Sequence, residues 1–235
     1  MKEIRKEYTD FHLNKKSHHN YPTEWVIRTM LGDYPELKLD RSNYNGGKVL
    51  DLGFGDPRNI SLLHNCGLEI YGVEVTEETV SLGYETLAEK GIKADLRVGC
   101  NSNIPFADSF FDYILASASC YYVDEGETFK QNLEEIYRVL KKSGYLIANF
   151  PAFSPSKDIE ESFILQGCIP TEDGHIIIQN DIYGLRNGYR FKAFANKEEI
   201  VQTFQDKFDQ ISIGQTFDNY YGVQINAFLL TARKK

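Results

Sequence analysis

Two carboxylates and two glycines stand at the ends of predicted strands, where they could bind a ligand. Asp51 closes a short apolar strand, and Gly53 and Gly55 follow it directly before a helix start. A second apolar strand ends in Glu74, 23 residues after Asp51. Open parallel sheets hold ligands at the carboxyl ends of strands, and glycine lets the backbone approach a ligand without a Cβ. A carboxylate at this spacing can accept both hydroxyls of a ribose, so the pattern predicts a nucleotide-binding turn.

Asp56 and Pro57 help to choose between dinucleotides and S-adenosylmethionine, the two ligands that this spacing fits. The third glycine of a dinucleotide turn is absent, and Asp56 is predicted to cap the helix with Pro57 as its first residue. A capping carboxylate would place negative charge where a dinucleotide turn receives pyrophosphate. S-adenosylmethionine has no phosphate and carries a sulfonium and an ammonium, so nearby carboxylates favour it. A nicotinamide-dependent oxidoreductase is the alternative that Asp56 opposes.

Four blocks between about Lys48 and Ala148 resemble, in order, the class I S-adenosylmethionine-dependent methyltransferases. The blocks are VLDLGFGDPRN, YGVEVTEETV, VGCNSNIPFADSFFDYILASASCYYV and LEEIYRVLKKSGYLI. They are similar to the family's glycine motif, its acidic ribose-binding strand end, the segment around its fourth strand, and the helix, turn and strand that follow. The sequence departs from the family at Pro57, which replaces a frequent third glycine. It departs again at Cys100-Asn101, which replaces the usual acidic and small pair beside the adenine.

The resemblance implies a set of cofactor contacts. Asp51 would act on the methionine amino group, often through water, and Glu74 would hold the ribose. Val75 would pack on the adenine, and Cys100 or Asn101 would reach its exocyclic edge. The contacts implied for the methionine moiety are those of Gly53, Phe54, Gly55, Ala116 and Ser117. Capping of helix ends is the alternative role for the two carboxylates, and loop packing is the alternative for Cys100 and Asn101.

Candidate catalytic residues are fewer. Tyr121 and Tyr122 occupy positions where many relatives carry paired histidines beside the transfer site, so one phenol could orient the nucleophile; packing is the alternative. His18 could act as a base near neutral pH, although adjacent histidines in a Lys/Asn-rich stretch are often solvated. His175 has a similar claim. A general base is needed for a hydroxyl acceptor and much less for a carboxylate or a neutral amine.

Strands alternate with helices along the chain, which predicts a Rossmann-like, doubly wound α/β fold with a mostly parallel sheet and an antiparallel C-terminal hairpin. The predicted strands are 48–51, 69–74, 96–98, 113–116, 145–150, 210–214 and 224–232. The predicted helices are 24–31, 57–65, 77–90, 127–141 and 197–208. Thr76 and Asn196 are predicted helix caps, and Gly91 is a predicted stop.

The chain divides into four predicted parts. Residues 46–150 form the cofactor-binding core, and residues 196–235 complete its sheet. Residues 1–45 form an amino-terminal arm, and residues 151–195 form an insertion that contains the Asn187-Gly188 turn signal of a hairpin. Long excursions at the ligand end of a sheet are usually lids or binding loops, so the arm and the insertion are predicted to cover the acceptor. A surface ornament or a dimer arm is the alternative.

Composition favours an ordinary globular enzyme and argues against nucleic acid as its binding partner. The 235 residues are 42% hydrophobic, which is enough for one good core. A net charge of −8 opposes sequence-independent binding to nucleic acid. No stretch resembles a signal peptide or a membrane span, so we expect a cytoplasmic protein. The four cysteines form no C-x-x-C pair, which argues against a metal or redox site.

The predicted function is methyl transfer from S-adenosylmethionine to an oxygen, nitrogen or carboxylate of a small-molecule acceptor, with S-adenosylhomocysteine as product. Two alternatives stay open. One is a methyltransferase that acts on a protein side chain or a glycan, and the other is a non-catalytic module that senses the cofactor. The sequence leaves the acceptor and the oligomeric state open.

Overall fold

A seven-stranded sheet brings the two carboxylate-bearing strand ends to one edge. The strands of the chain are β1 (Lys48–Leu52), β2 (Glu69–Glu74), β3 (Ala94–Val98), β4 (Phe111–Ala116), β5 (Tyr122–Val123), β6 (Leu140–Pro151), β7 (Ile169–Pro170), β8 (Ile176–Ile177), β9 (Arg190–Phe191), β10 (Phe208–Tyr220) and β11 (Val223–Lys234). The main sheet has the order β10-β11-β6-β4-β1-β2-β3, and a smaller sheet has the order β5-β9-β8-β7. The structure is a computed structural model that describes residue 10 and residues 21–154 and 162–235.

β1 lies between β2 and β4, and both neighbours run parallel to it. Asp51 pairs in register with Gly72 of β2 and Leu115 of β4, so all three strands end at the same edge. β6 is parallel to β4, whereas β11 is antiparallel to β6 and β10 is antiparallel to β11. The predicted fold class is therefore confirmed. The C-terminal hairpin is longer than predicted, because both of its strands continue toward the turn at Tyr221 and Gly222.

Polar side chains cap the start of three of the five helices in the described part of the chain. The helices are α1 (Glu24–Leu31), α2 (Arg58–Asn65), α3 (Glu77–Glu89), α4 (Phe129–Val139) and α5 (Lys197–Phe204), with a short 3-10 helix at Phe163–Leu165. The predicted caps are confirmed: the Thr76 hydroxyl accepts from the backbone N–H of Thr79, and the Asn196 side chain accepts from that of Glu199. Gly91 follows α3 at a φ of 66°, a conformation that suits glycine at a helix end.

α4 is shorter than predicted at both ends. Thr128 and Gln131 form a reciprocal capping box, which starts the helix at Phe129. At the other end, Leu140 already belongs to β6, so the helix passes into the strand without a loop. Within residues 21–154 and 162–235, no helix is both long enough and apolar enough to cross a membrane.

Side chains of the central strands alternate between two apolar layers. In β1, Leu50 and Leu52 belong to one core cluster and Val49 belongs to the other. Helices α1, α2 and α3 supply the layer that contains Val49, and α4 and α5 supply the layer that contains Leu50. Helices thus cover both faces of the sheet.

The insertion continues the layer of α4 and α5. Ile178, Phe191 and Phe194 belong to the same core cluster as Leu50. Its strands pair with one another and with β5, which lies in the segment that follows β4. The predicted hairpin is present, since β8 and β9 pair antiparallel and Gly188 has a φ of 83°. The described part of the insertion is therefore packed onto the core at the ligand edge.

Candidate functional site

A narrow cleft opens at the carboxyl edge of the sheet, above the turn that follows β1. Its volume is about 80 Å³, below the range of roughly 300–1,000 Å³ usual for small-molecule pockets. The lining residues are Gly53, Glu74, Val75, Cys100, Asn101, Ala118, Ser119, Tyr122, Asp124 and Tyr189. Six of the predicted site residues are thus brought together, and Tyr189 of the insertion also lines the cleft.

Glu74 joins the end of β2 to the glycine turn. Its side chain is buried, with Oε1 accepting from the backbone N–H of Gly55 and Oε2 accepting from that of Val75, both at 2.8 Å. Burial raises the pKa of Glu74, while these two hydrogen bonds oppose the rise. Each carboxylate oxygen keeps a second lone pair, so Glu74 can still accept from a ligand hydroxyl.

Asp51 is a buried carboxylate whose two oxygens have no hydrogen-bond partner among the described residues. Burial raises its pKa to about 8, and the negative charges of Glu74 and Asp56 add to this effect. Arg58 acts in the opposite direction. Buried polar groups normally find partners, so this carboxyl is set up to receive a donor or a cation from a ligand.

Gly53 permits the close approach of two chain segments. It has a φ of 69°, and a Cβ there would lie 2.5 Å from the Cβ of Ser119. The prediction that this position needs a glycine is supported, but the neighbour that excludes a side chain is part of the protein. The Ser119 hydroxyl is also buried without a partner in the described part of the chain, and it lies beside the same turn.

Four of the five residues predicted to contact the methionine moiety lie outside the cleft lining. Phe54 packs inside the core, where its ring fills the space above Gly72 and Gly83. Ala116 is fully buried, and Ser117 does not line the cleft. Gly55 is also outside the lining, where its N–H serves Glu74.

The turn after β4 explains why the lining moves to Ala118 and Ser119. Ala118 adopts a φ of 56°, which is unusual for a residue with a side chain. Its backbone N–H donates to the Asn149 side chain at 2.7 Å. Nothing in the sequence Ala-Ser-Ala-Ser signals this left-handed residue, so the prediction from sequence falls two positions short of the lining residues.

Amide side chains hold the segment between Ala118 and Tyr122 in place. The Asn101 amide nitrogen donates to the carbonyls of Ser119 and Tyr122, at 2.9 and 3.0 Å. The Asn132 amide nitrogen donates to the carbonyls of Cys120 and Tyr122, at 3.1 and 2.8 Å. Both hydrogens of the Asn101 amide are thereby used, and only its oxygen is left for a ligand edge.

The candidate catalytic residues separate in the structure. Tyr122 lines the cleft, whereas Tyr121 is buried against Phe191 with ring centroids 4.9 Å apart. The two tyrosine rings stack at 5.1 Å, and burial raises the pKa of both phenols. His175 is buried in the insertion with Nδ1 at 3.0 Å from an Asp173 oxygen, away from the cleft lining. His18 lies outside the described residues.

The start of α2 corrects one prediction. Pro57 occupies the N-cap position with a ψ of 43°, and the helix begins at Arg58. The predicted assignment, Asp56 as cap and Pro57 as first helical residue, is therefore wrong by one position. The Asp56 carboxylate instead forms an ion pair with the Arg58 guanidinium, at 3.0 Å.

Arg186 and Asp181 of the insertion were not predicted as site residues. The Arg186 guanidinium donates at 3.0 Å to the buried Asp181 carboxylate, and its positive charge opposes the rise that burial causes in the pKa of Tyr122. Tyr189 packs edge-on against Tyr122 with ring centroids 5.3 Å apart. No local pattern in the sequence relates an arginine at 186 to a tyrosine at 122, because their proximity depends on how the insertion folds back.

Comparisons with known proteins agree with the fold. Residues 50–148 match the family described as methyltransferase domain. Similar solved structures include a Methanosarcina mazei S-adenosylmethionine-dependent methyltransferase, with 23% identity, a TM-score of 0.61, and coverage of 86% of this chain and 98% of that one. A search of curated proteins found no match.

Two further similar structures carry different names. One is the Burkholderia thailandensis 1,6-didemethyltoxoflavin-N1-methyltransferase with bound 1,6-didemethyltoxoflavin and S-adenosylhomocysteine. It has 15% sequence identity and a TM-score of 0.64, and the match covers 100% of this chain and 86% of that one. The other is the [4+2]-cyclase SpnF, at 16% identity, a TM-score of 0.63, and coverage of 98% and 93%.

The chain therefore carries a methyltransferase domain and has the class I methyltransferase fold. The family predicted from the four sequence blocks is confirmed. S-adenosylmethionine is the cofactor of this class.

Proposed function

We propose that this protein transfers a methyl group from S-adenosylmethionine to an oxygen, nitrogen or carboxylate of a small-molecule acceptor. The observation that carries the proposal is the pair of buried carboxylates beside the glycine turn. Asp51 has two unpartnered oxygens among the described residues, and Glu74 keeps free lone pairs after accepting from Gly55 and Val75. Two carboxyl groups with oxygens that can still accept hydrogen bonds suit a ligand with an ammonium and a ribose.

The residues of the cleft fit this cofactor, together with the buried Asp51 carboxyl, which lies outside the cleft lining. We assign Glu74 to the ribose hydroxyls and Asp51 to the methionine amino group, directly or through water. Val75 packs beside the adenine, Cys100 lines the same side, and the Asn101 oxygen accepts from its exocyclic amine. When bound, the cofactor supplies an electrophilic methyl group, so the protein needs to orient the acceptor and exclude water.

The roof supports a small acceptor. Tyr122 and Tyr189 line the cleft beneath the insertion, and the cavity is about 80 Å³. A ligand the size of a nucleoside requires this roof to move outward, and a closed roof then excludes water from the transfer. We therefore propose residues 151–195 as the acceptor cover, residues 46–150 as the cofactor core and residues 196–235 as the sheet-completing part. Residues 1–45 are proposed as a further part of the cover from the sequence alone. A small-molecule acceptor, as the bound 1,6-didemethyltoxoflavin is in the Burkholderia thailandensis structure, is compatible with this arrangement.

A second candidate is a cofactor-dependent protein that does not transfer methyl groups. One observation favours it: the similar structure of SpnF is named a [4+2]-cyclase, so proteins of this fold include a different activity. Such a protein would bind S-adenosylmethionine or S-adenosylhomocysteine without consuming the methyl group.

The deciding experiment uses S-adenosylmethionine with a labelled methyl group and pooled small-molecule metabolites, with and without the protein. We expect label to enter an organic product and S-adenosylhomocysteine to accumulate in equal amount. Glu74→Gln is the variant that ties the signal to this cleft, and it should reduce the labelling. Tight S-adenosylhomocysteine binding without labelling of any metabolite, protein or glycan fraction would support the second candidate and reject the first.

A further inference from the structure

Ala118 forms part of the cleft wall in a conformation that residues with a side chain rarely adopt. Its φ is 56°, which lies in the left-handed region. Such backbone conformations persist where the surrounding structure holds them, and they are frequent at binding sites. A contact that holds Ala118 in this conformation would therefore fix this part of the wall.

Asn149 provides that contact from the neighbouring strand. β4 ends at Ala116, which is in register with Ala148 of β6, so Asn149 is the first β6 residue beyond the end of β4. The Asn149 Oδ1 atom accepts from the backbone N–H of Ala118 at 2.7 Å. Asn149 does not itself line the cleft, so its influence on a ligand there is transmitted through Ala118.

Ser119, the next residue, is the part of this segment that contacts the glycine turn after β1. It is 7% exposed and lines the cleft, and its hydroxyl oxygen has no hydrogen-bond partner among the described residues. A Cβ added to Gly53 would lie 2.5 Å from the Ser119 Cβ, so the two segments are in direct contact. Because buried hydroxyls normally have partners, this one is placed to bind a polar group of a ligand.

Hydrogen bonds hold Ser119 on both sides. On its carboxyl side, the Ser119 carbonyl accepts from the Asn101 amide nitrogen at 2.9 Å and from the backbone N–H of Tyr122 at 3.0 Å. On its amino side, the bond to Asn149 fixes Ala118. Loss of that bond would let Ala118 leave the left-handed region, and the Ser119 hydroxyl would then move relative to Gly53.

The amino-acid end of S-adenosylmethionine is the part of the cofactor that suits this hydroxyl. Asp51, two residues before Gly53, also has oxygens without a partner in the described part of the chain, and it is assigned to the methionine amino group. That end carries an ammonium and a carboxylate, and a serine hydroxyl can accept from the first and donate to the second. The ribose and the adenine are assigned to other residues.

We infer that Asn149 is a positioning residue for the cofactor: it holds Ala118 in the left-handed conformation and thereby places the Ser119 hydroxyl against the amino-acid end of S-adenosylmethionine. The inference rests on the part of the proposed function that assigns Asp51 to the methionine amino group. It does not depend on the acceptor or on methyl transfer.

The test compares two ligands by calorimetric titration. S-adenosylhomocysteine carries the amino-acid group, whereas 5′-methylthioadenosine has the same adenosine and thioether sulfur without it. Asn149→Ala should weaken S-adenosylhomocysteine binding about five- to twentyfold, because a hydrogen bond that holds a strained residue is lost. It should change 5′-methylthioadenosine binding by less than about twofold, because that ligand does not reach Ser119.

Asn219→Ala is the matched control. The Asn219 side chain also accepts from the backbone N–H of a left-handed residue, Gly222, at 3.1 Å, but this contact lies at the tip of the C-terminal hairpin. The control should leave both affinities unchanged.

A double-mutant cycle with Ala118→Gly tests whether Asn149 acts through the backbone. Glycine adopts a positive φ readily, so it needs less support from a side chain. In the Ala118→Gly background, Asn149→Ala should weaken S-adenosylhomocysteine binding by less than about twofold. Equal losses in the two backgrounds would overturn the inference, and so would an equal loss for both ligands.

Ser119→Ala is a second variant, which serves if Asn149→Ala fails to fold. It removes only a hydroxyl that has no partner among the described residues, so the fold should tolerate it. S-adenosylhomocysteine affinity should fall about three- to tenfold, with 5′-methylthioadenosine affinity within about twofold of that of the natural protein. Unchanged S-adenosylhomocysteine affinity would overturn the inference.

The two ligands also separate this inference from methyl transfer. S-adenosylhomocysteine binding that depends on Asn149 and Ser119, in a protein that labels no acceptor, would reject the proposed function and support the inference. Methyl transfer by a protein whose S-adenosylhomocysteine affinity is indifferent to both residues would support the proposed function and reject the inference.

Discussion

Asp51→Asn should change how the stability of this protein depends on pH. The neutral carboxyl is favoured in the folded protein, where burial and the charges of Glu74 and Asp56 raise the Asp51 pKa from 3.8 to about 8. The folded state therefore holds this proton more tightly than the unfolded chain does. Consequently the free energy of unfolding falls as the pH rises from 3.8 to about 8, and the Asp51 contribution is constant above that range.

The magnitude follows from the two pKa values. The difference between 3.8 and about 8 corresponds to on the order of 5 kcal/mol between the acidic and alkaline limits. Domains are stable by only about 5–15 kcal/mol, so the effect is a large fraction of the total. Asparagine has nearly the same shape and does not ionise. Asp51→Asn should thus have similar stability to the natural protein near about pH 4 and exceed it by about 2–5 kcal/mol near about pH 9.

Urea denaturation at a series of pH values measures this difference. Trp25 is the single tryptophan and is buried, so its fluorescence follows unfolding. Asp206→Asn is the control, because Asp206 is an exposed carboxylate outside the cleft, and its curve should parallel that of the natural protein. If Asp51→Asn also parallels the natural protein, Asp51 does not carry its proton into the neutral range and our reasoning on its burial is refuted.

Three other substitutions test the remaining contacts. Glu74→Gln should weaken S-adenosylhomocysteine binding about ten- to a hundredfold in calorimetry, because an amide nitrogen replaces one accepting oxygen; unchanged affinity would remove Glu74 from the site. Gly53→Ala should destabilise the fold by about 2–4 kcal/mol, through its left-handed φ and the contact with Ser119. Gly91→Ala is the control, because Gly91 also has a positive φ but a Cβ there would meet no other atom; it should cost only about 1 kcal/mol of stability in thermal unfolding. Equal stability losses in the two variants would show that the contact between residue 53 and Ser119 does not contribute. Asn132→Ala should cost about 1–3 kcal/mol, because the buried Cys120 carbonyl loses its amide donor and the Tyr122 carbonyl keeps only the bond from Asn101; a stability within about 0.5 kcal/mol of the natural protein would contradict this.

The sheet and its acidic edge could be predicted because their signals are local. Asp51 and Glu74 each close an apolar run, and parallel strands place such ends together whatever the rest of the chain does. The caps at Thr76 and Asn196 were equally accessible, since a hydroxyl or amide three residues before a backbone N–H is a short-range pattern. Phe54 is predicted to contact the cofactor, but neighbouring side chains around a turn point in different directions. Its ring packs in the core against Gly72 and Gly83, which have no side chains.

The roof of the cleft could not be predicted because its contacts are long-range. The sequence predicts the insertion and its hairpin, but the pairing of Tyr122 with Phe191 joins positions 69 residues apart. The left-handed conformation of Ala118 depends on Asn149 in another strand. Such contacts leave no pattern within a window of neighbouring residues, so they emerge only from the folded chain.

The pairing of β5 with β9 limits how this protein can be re-engineered or can diverge. Tyr122 belongs both to the smaller sheet and to the cleft, since it lies in β5, the edge strand of that sheet, and also lines the cleft. A graft of the insertion from a relative would therefore have to carry the segment after β4 with it, or the transplanted strands would lose their partner. If the insertion determines the acceptor, as proposed, we expect relatives with different acceptors to differ in both residues 118–123 and residues 162–195. Changes in these two segments should occur together, although the segments are far apart in sequence.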